Sequence, residues 1–150
     1  MANRKIHTLV GAVSGGTYAF FTSLDQEPFD QFLETVGGGF GGAGGGRLPD
    51  IIEPALNPRH RSVAHAIVPA VAIGAKVVPI FLSGKQQLRQ CADGCRARRD
   101  DATGFFEKIF LWLAEKCLRL VCGAMAGLAS GYASHLVLDA FTPMGLPLIS

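Results

Sequence analysis

The sequence predicts an all-α fold: a compact bundle of about four to five helices forming one domain over residues 1–150. Apolar positions recur at helical spacing, and strand-like alternation is rare. Hydrophobic residues make up 49% of the chain and charged residues 17%, below the roughly 25% of an average soluble domain. Glycine stands out, with 19 residues, eight of them within Gly37–Gly46. A net charge of +2 carries neither a nucleic-acid footprint nor an acidic tail, so no specific nucleic-acid binding is expected. No collagen period, heptad array or Ser/Pro-rich tail is present, which excludes fibrous and disordered classes.

A first helix is expected over about residues 5–24. A second begins near Pro28 and runs into the glycine block. In an exposed helix each glycine costs about 1 kcal/mol relative to alanine. The block is therefore either a loop or a helix whose bare backbone packs closely on its neighbours. No GxxxxGK[ST] phosphate cradle is present, and close packing is the preferred reading. Ser62 is a natural N-cap for a helix starting at Val63. Residues 83–104 are polar and mildly basic, with turn signals at Ser83-Gly84 and Asp93-Gly94, and are expected to form an exposed loop. From Phe105 a long helix reaches about Phe141, where TPMGLP ends it.

Ile6–Leu24 and Leu120–Leu138 each run nineteen residues without Asp, Glu, Lys or Arg. That approaches the length of a membrane span, about 20 residues. Polar side chains dilute both, among them His7, Thr8, Ser14, Ser130 and His135. A third apolar stretch, Ala66–Leu82, is broken by Pro69, Lys76 and Pro79. Core helices of a tight bundle and membrane insertion are both open. The basic start lacks an A-x-A-like cleavage site, so no secretory signal is expected. The expected location is a bacterial inner membrane or its cytoplasmic side, with a soluble cytoplasmic protein as the alternative. Cys91 and Cys95, then Cys117 and Cys122, lack CxxC spacing and read as free or loosely paired thiols, with Cys117 and Cys122 in the core.

Gly123, Gly127, Gly131, His135 and Asp139 succeed one another at intervals of four. They share one helix face, so His135 and Asp139 point the same way, as two ligands of one metal must. The glycines beside them form a seam that admits a second helix closely. His7, Gly11, Gly15 and Ala19 repeat the device. Two such seams facing each other would bring His7 beside His135 and Asp139; the seams also offer a route to a homo-oligomer. The segment RLPDIIEPALNPRHRSVAH adds Asp50, His60 and His65. Imidazole nitrogen and carboxylate oxygen are the usual ligands of zinc and its relatives. Arg59 and Arg61 flank His60, and guanidinium groups suit a phosphate.

The set HTLVGAVSGG, LPDIIE, HRSVAH and HLVLDAFTPMG resembles the YdjM-type membrane-bound metal-dependent hydrolases. That family is distantly similar to the zinc-dependent phospholipase C and single-strand nuclease superfamily. The resemblance spans nearly the whole chain apart from 83–117. It implies a divalent metal held by Asp50, His65, His135 and Asp139, with His7 on a second ion and Asp139 as a possible bridge. Zinc is the first expectation, with manganese or iron as alternatives. His60 remains as an outer partner, alternative ligand or general acid, and Glu53 as the spare carboxylate. The phospholipase relatives use their amino terminus as a ligand, whereas six residues precede His7 here. No histidine comes after the HxxxD pair, so one or two ions are expected rather than three.

The implied activity is metal-assisted hydrolysis of a phosphoester, either a phospholipid or another phosphodiester. Asp50 or His60 would take a proton from water, and Arg59 or Arg61 would hold the phosphate. The reading from another class is a non-enzymatic helical membrane or oligomeric protein, with a structural metal or none.

Overall fold

The computed structural model describes residues 4–52 and 67–140. They form helices α1 (Arg4–Phe21), α2 (Pro28–Gly45), α3 (Leu48–Ile52), α4 (Ile67–Asp101) and α5 (Phe105–Ala140). The chain is an all-α bundle, as its periodicity predicts. The expected cap at Ser62 and the stop at 142–147 lie outside the described residues.

α1 ends at Phe21, where the Ser23 hydroxyl donates back to the Ala19 carbonyl at 2.7 Å. α2 starts with Pro28 at its first position, where the missing N–H costs nothing. The glycine block is helical through Gly45, and close packing is the reason. A methyl group at Gly42 would strike the carbonyl oxygen of Gly11 and lie 2.8 Å from the Cα of Gly15. Methyl groups at Gly41 and Gly45 would strike the carbonyl oxygens of Ala124 and Leu128 on α5. In return, Gly127 and Gly131 lie against the carbonyls of Gly38 and Gly42. The seams of α1 and α5 therefore close mainly on α2 rather than only on each other. Both seams are filled within one chain, so side chains hardly separate these three backbones.

Residues 83–104 correct the sequence reading. They are no loop: α4 continues through Ser83-Gly84 and Asp93-Gly94 to Asp101, and residues 102–104 alone make the turn into α5. The basic side chains of this stretch reach carboxylates far away in sequence. Arg89 donates to both Glu34 oxygens at 2.9 and 2.7 Å, and Lys85 lies 3.3 Å from the same carboxylate. Arg96 bridges Glu115, at 2.8 Å, and Asp30; Arg99 reaches the other Glu115 oxygen at 2.8 Å. Lys116 donates to Asp30 at 2.6 Å, and Arg119 to Asp93 at 2.5 Å. The backbone of α4 packs on α5 alone among the described helices, so these long side chains are its link to α2.

The distribution of side chains is inverted. Among the described residues, buried apolar side chains are few and mostly small: Ala19, Ala92, Leu111, Cys122 and Ala126. Glu34, Glu115, Asp30 and Arg119 are buried instead, while Leu9, Phe21, Phe40, Phe106 and Phe110 are exposed. Among the described residues no helix is long and apolar enough to cross a membrane. Cys122 is buried as expected, whereas Cys117 is exposed, because the buried face of α5 there runs through Glu115 and Arg119.

Candidate metal centre

The end of the bundle where α1 begins gathers His7 and His135. His7 is the first member of the α1 seam, and His135 and Asp139 are the last members of the α5 seam. Packing α1 and α5 on one glycine helix fixes their registers, and those registers bring the three side chains together. All three are buried. One ligand atom from each lies within 4.8 Å of the others.

The geometry is that of atoms arranged around a point. His7 Nε2 stands 3.6 Å from Asp139 Oδ1, and His135 Nε2 stands 3.5 Å from Asp139 Oδ2. Asp50, carried by α3, brings Oδ1 to 3.7 Å from His135 Nε2. Ligands about 2.0–2.1 Å from a tetrahedral zinc are separated by roughly 3.3 Å, close to these values. The two imidazoles stack with centroids 3.9 Å apart and planes inclined by 24°.

A backbone group sets the direction of His135. Its Nδ1 donates to the Gly46 carbonyl oxygen at 2.7 Å, which turns Nε2 toward the carboxylates. Histidine ligands regularly hold their second nitrogen this way, fixing tautomer and ring orientation. Burial pushes the His135 imidazolium down, but the Asp139 and Gly46 hydrogen bonds and the charges of Asp50 and Asp139 outweigh it and hold its pKa above the ordinary value. Buried groups of this kind demand partners or a cation, since desolvating an unpaired carboxylate is costly.

The structure thus gathers four of the expected ligands: His7, His135, Asp139 and, at the more open edge, Asp50. His7 joins the His135–Asp139 group directly. The expected ligands His60, His65 and Glu53, and the arginines Arg59 and Arg61, lie outside the described residues. Reading the sequence misses the Gly46 carbonyl, because a main-chain acceptor has no signature in residue type. The donor set, two imidazoles and a buried carboxylate with a second carboxylate beside them, could hold a metal ion. Among known proteins, no family model, no curated protein and no solved structure matches the chain.

Proposed function

We propose that the chain is a metal-dependent hydrolase acting on phosphoesters, after the manner of the YdjM-type hydrolases its motifs resemble. One observation carries the reading: His7, His135 and Asp139, from opposite ends of the sequence, converge as a buried donor set within 4.8 Å. His7, His135 and Asp139 would hold one divalent ion. A bound ion of this class supplies Lewis acidity and lowers the pKa of water toward neutrality. Three such ligands among the described residues would match the ligand number of catalytic zinc sites.

The chain's own residues have separate tasks in this reading. Gly46 holds His135 in one tautomer. Asp50, less buried than the other three, would accept the proton of water at Oδ1. The glycine seams keep the His7 and His135 rings in register, so little reorganisation is needed when the ion enters.

We also propose contact with a lipid bilayer. Large apolar side chains are exposed on α1, α2, α4 and α5, including Val13, Phe32, Ile80 and Trp112. Exposed apolar surface of that extent marks a protein or membrane contact. Its spread over all four long helices favours an apolar solvent over a single partner.

Metal analysis of the purified protein, joined to a panel of phosphodiesters and phosphomonoesters, tests the enzyme. The expected result is about one zinc, manganese or iron per chain and turnover that chelation abolishes. Protein without stoichiometric metal sinks the reading. Metal retained without turnover of any panel member favours the non-enzymatic alternative. Recovery of all the protein in the soluble fraction, with no liposome binding, would refute the bilayer contact.

A further inference from the structure

Helices α2 and α5 run parallel, because Gly123, Gly127 and Gly131 lie in turn against Glu34, Gly38 and Gly42. The first turn of α2 is level with Lys116, which donates to Asp30 at 2.6 Å and stands 5.5 Å from the Phe29 ring. α5 begins at Phe105, so its first turns stand about 16 Å beyond the start of α2. Five turns of helix take about 18 residues. Phe105, Phe106, Ile109, Phe110 and Leu113 therefore lie in line with Gly123, Ala124, Gly127, Leu128 and Gly131. Those five positions meet the backbone of α2. The face that α2 covers thus continues beyond α2, and there its glycines give way to phenylalanine, isoleucine and leucine.

This continuation is exposed. Phe105, Phe106 and Phe110 are 72, 84 and 69% exposed, and Ile109, Leu113 and the bordering Trp112 are between 41 and 49% exposed. The opposite side of the same turns lies toward α4, where Leu111 and Glu115 are buried and Glu115 takes Arg96 and Arg99. Residues 53–66 and 141–150 join the described helices at the opposite end of the bundle, about 40 Å along α5 from Leu113. Ten extended residues span at most about 36 Å, and fourteen tied at both ends reach less far still.

The area matches what a second copy needs. At roughly 150–250 Å² for one aromatic side chain, the six residues expose about 600–700 Å². A stable interface takes about 800 Å² from each partner. The free length sets the direction. Laid antiparallel about an axis near Ile109, Phe105 of one copy comes level with Leu113 of the other, and each tip stops where the other's α2 begins. A parallel pair would drive the two α2 helices into each other. The two α4–α5 hairpins then make a four-helix bundle.

We infer that the Phe105–Leu113 face is a dimer interface, on which two copies of the chain pack antiparallel about a two-fold axis. The inference goes beyond the hydrolase reading, because the candidate metal centre lies at the other end of the bundle. It also takes this one face out of the apolar surface proposed to meet lipid.

Sedimentation equilibrium of the full chain, in density-matched detergent where the protein needs it, tests the interface. A dimer that dissociates on dilution is expected. Phe106→Glu with Phe110→Glu should weaken it by about a hundredfold or more, with helicity and metal content unchanged. Leu9→Glu with Val13→Glu, on an equally exposed part of α1, should leave the dimer intact. A monomer at every concentration overturns the inference, whether or not vesicles capture it. So does a dimer that survives the phenylalanine variant or is lost equally in the α1 variant. Should the phenylalanine variant fail to fold, cross-linking decides. In a chain with Cys91, Cys95 and Cys117 changed to serine, Ile109→Cys should be joined between copies by a short bismaleimide and Leu9→Cys should not. Absence of the Ile109→Cys product refutes the antiparallel pair. A dimer without metal or turnover would sink the hydrolase reading and leave the interface standing, and a metal-loaded active monomer would do the reverse.

Discussion

His135 donates its Nδ1 proton to the carbonyl oxygen of Gly46 at 2.7 Å, tying the end of α5 that carries the candidate metal centre to the end of α2. Gly46 itself has ordinary right-handed backbone angles, φ −65° and ψ −8°, so its conformation does not demand glycine. Space does. An added Cβ would lie 2.5 Å from the His7 carbonyl oxygen and 3.2 Å from that of Gly42.

Gly46→Ala should therefore disturb the centre without removing any ligand. To admit the methyl group, α1 must move away from α2, taking His7 from Asp139 and straining the Gly46–His135 bond. Loss of such a supporting contact typically costs about 10–100-fold in metal affinity. Competition with a coloured chelator measures it. An unchanged dissociation constant would show that Gly46 does not position His135.

The glycine helix makes an opposed pair of predictions. Gly42→Ala gains about 1 kcal/mol of helix propensity but forces backbone apart, and overpacking of this kind costs about 1–3 kcal/mol. The net effect is destabilising. Gly94→Ala lies on α4, where an added Cβ meets nothing within 4 Å, and should stabilise by about 0.5–1 kcal/mol. Denaturant unfolding of both variants measures the two signs, and a stabilised Gly42→Ala would contradict the packing described for α2.

The contrast between α2 and α4 explains what the sequence discloses. The seams His7–Gly11–Gly15–Ala19 and Gly123–Gly127–Gly131–His135–Asp139 are legible because a period of four marks one helix face whatever lies opposite. Close packing of Gly37–Gly46 follows from the cost of exposed glycine, but its place between the two seams does not, since a run of glycines has no periodicity to read. α4 is misread for a different reason. Its charges resemble a solvated loop until their partners are known, and Glu34 precedes Arg89 by 55 positions while Asp30 precedes Arg96 by 66. A local trace does exist: Lys85, Arg89, Arg96 and Arg99 fall at helical spacing, as do Asp30 with Glu34 and Glu115 with Arg119.

The thiols report on α4. Cys91 and Cys117 are exposed, whereas Cys122 is buried. Burial and the Glu34 charge push the Cys122 thiol up to about 11, although Arg89, Arg119 and Lys85 pull the other way. At pH 8 a thiol reagent should modify Cys91 and Cys117 promptly and Cys122 at the rate of global unfolding. Rapid modification of Cys122 in native protein would mean that α4 does not stay docked.

The buried ion pairs should dominate the response to mutation and acid. Glu34 is fully buried and pairs with both Arg89 and Lys85, so Glu34→Ala takes the nearest carboxylate from two cations and should cost about 3–5 kcal/mol. Adding Arg89→Met should recover part of that loss, because the pair then disappears as a unit. Acid acts on the same network. Burial raises the Asp30 pKa, but Lys116, Arg119 and Arg96 outweigh it and hold the carboxyl below its ordinary 3.8. A folded-state pKa below the unfolded one means that Asp30 stabilises the fold fully above the ordinary carboxylate range. That contribution fades as pH falls from the unfolded pKa through the folded one. Denaturation curves from pH 7 downward should show stability declining below about pH 5 in the wild type and declining less in Asp30→Asn. The variant starts from a lower value, having already lost the ion pairs that acid removes. Parallel curves for the two proteins would show that Asp30 is not linked to the acid transition.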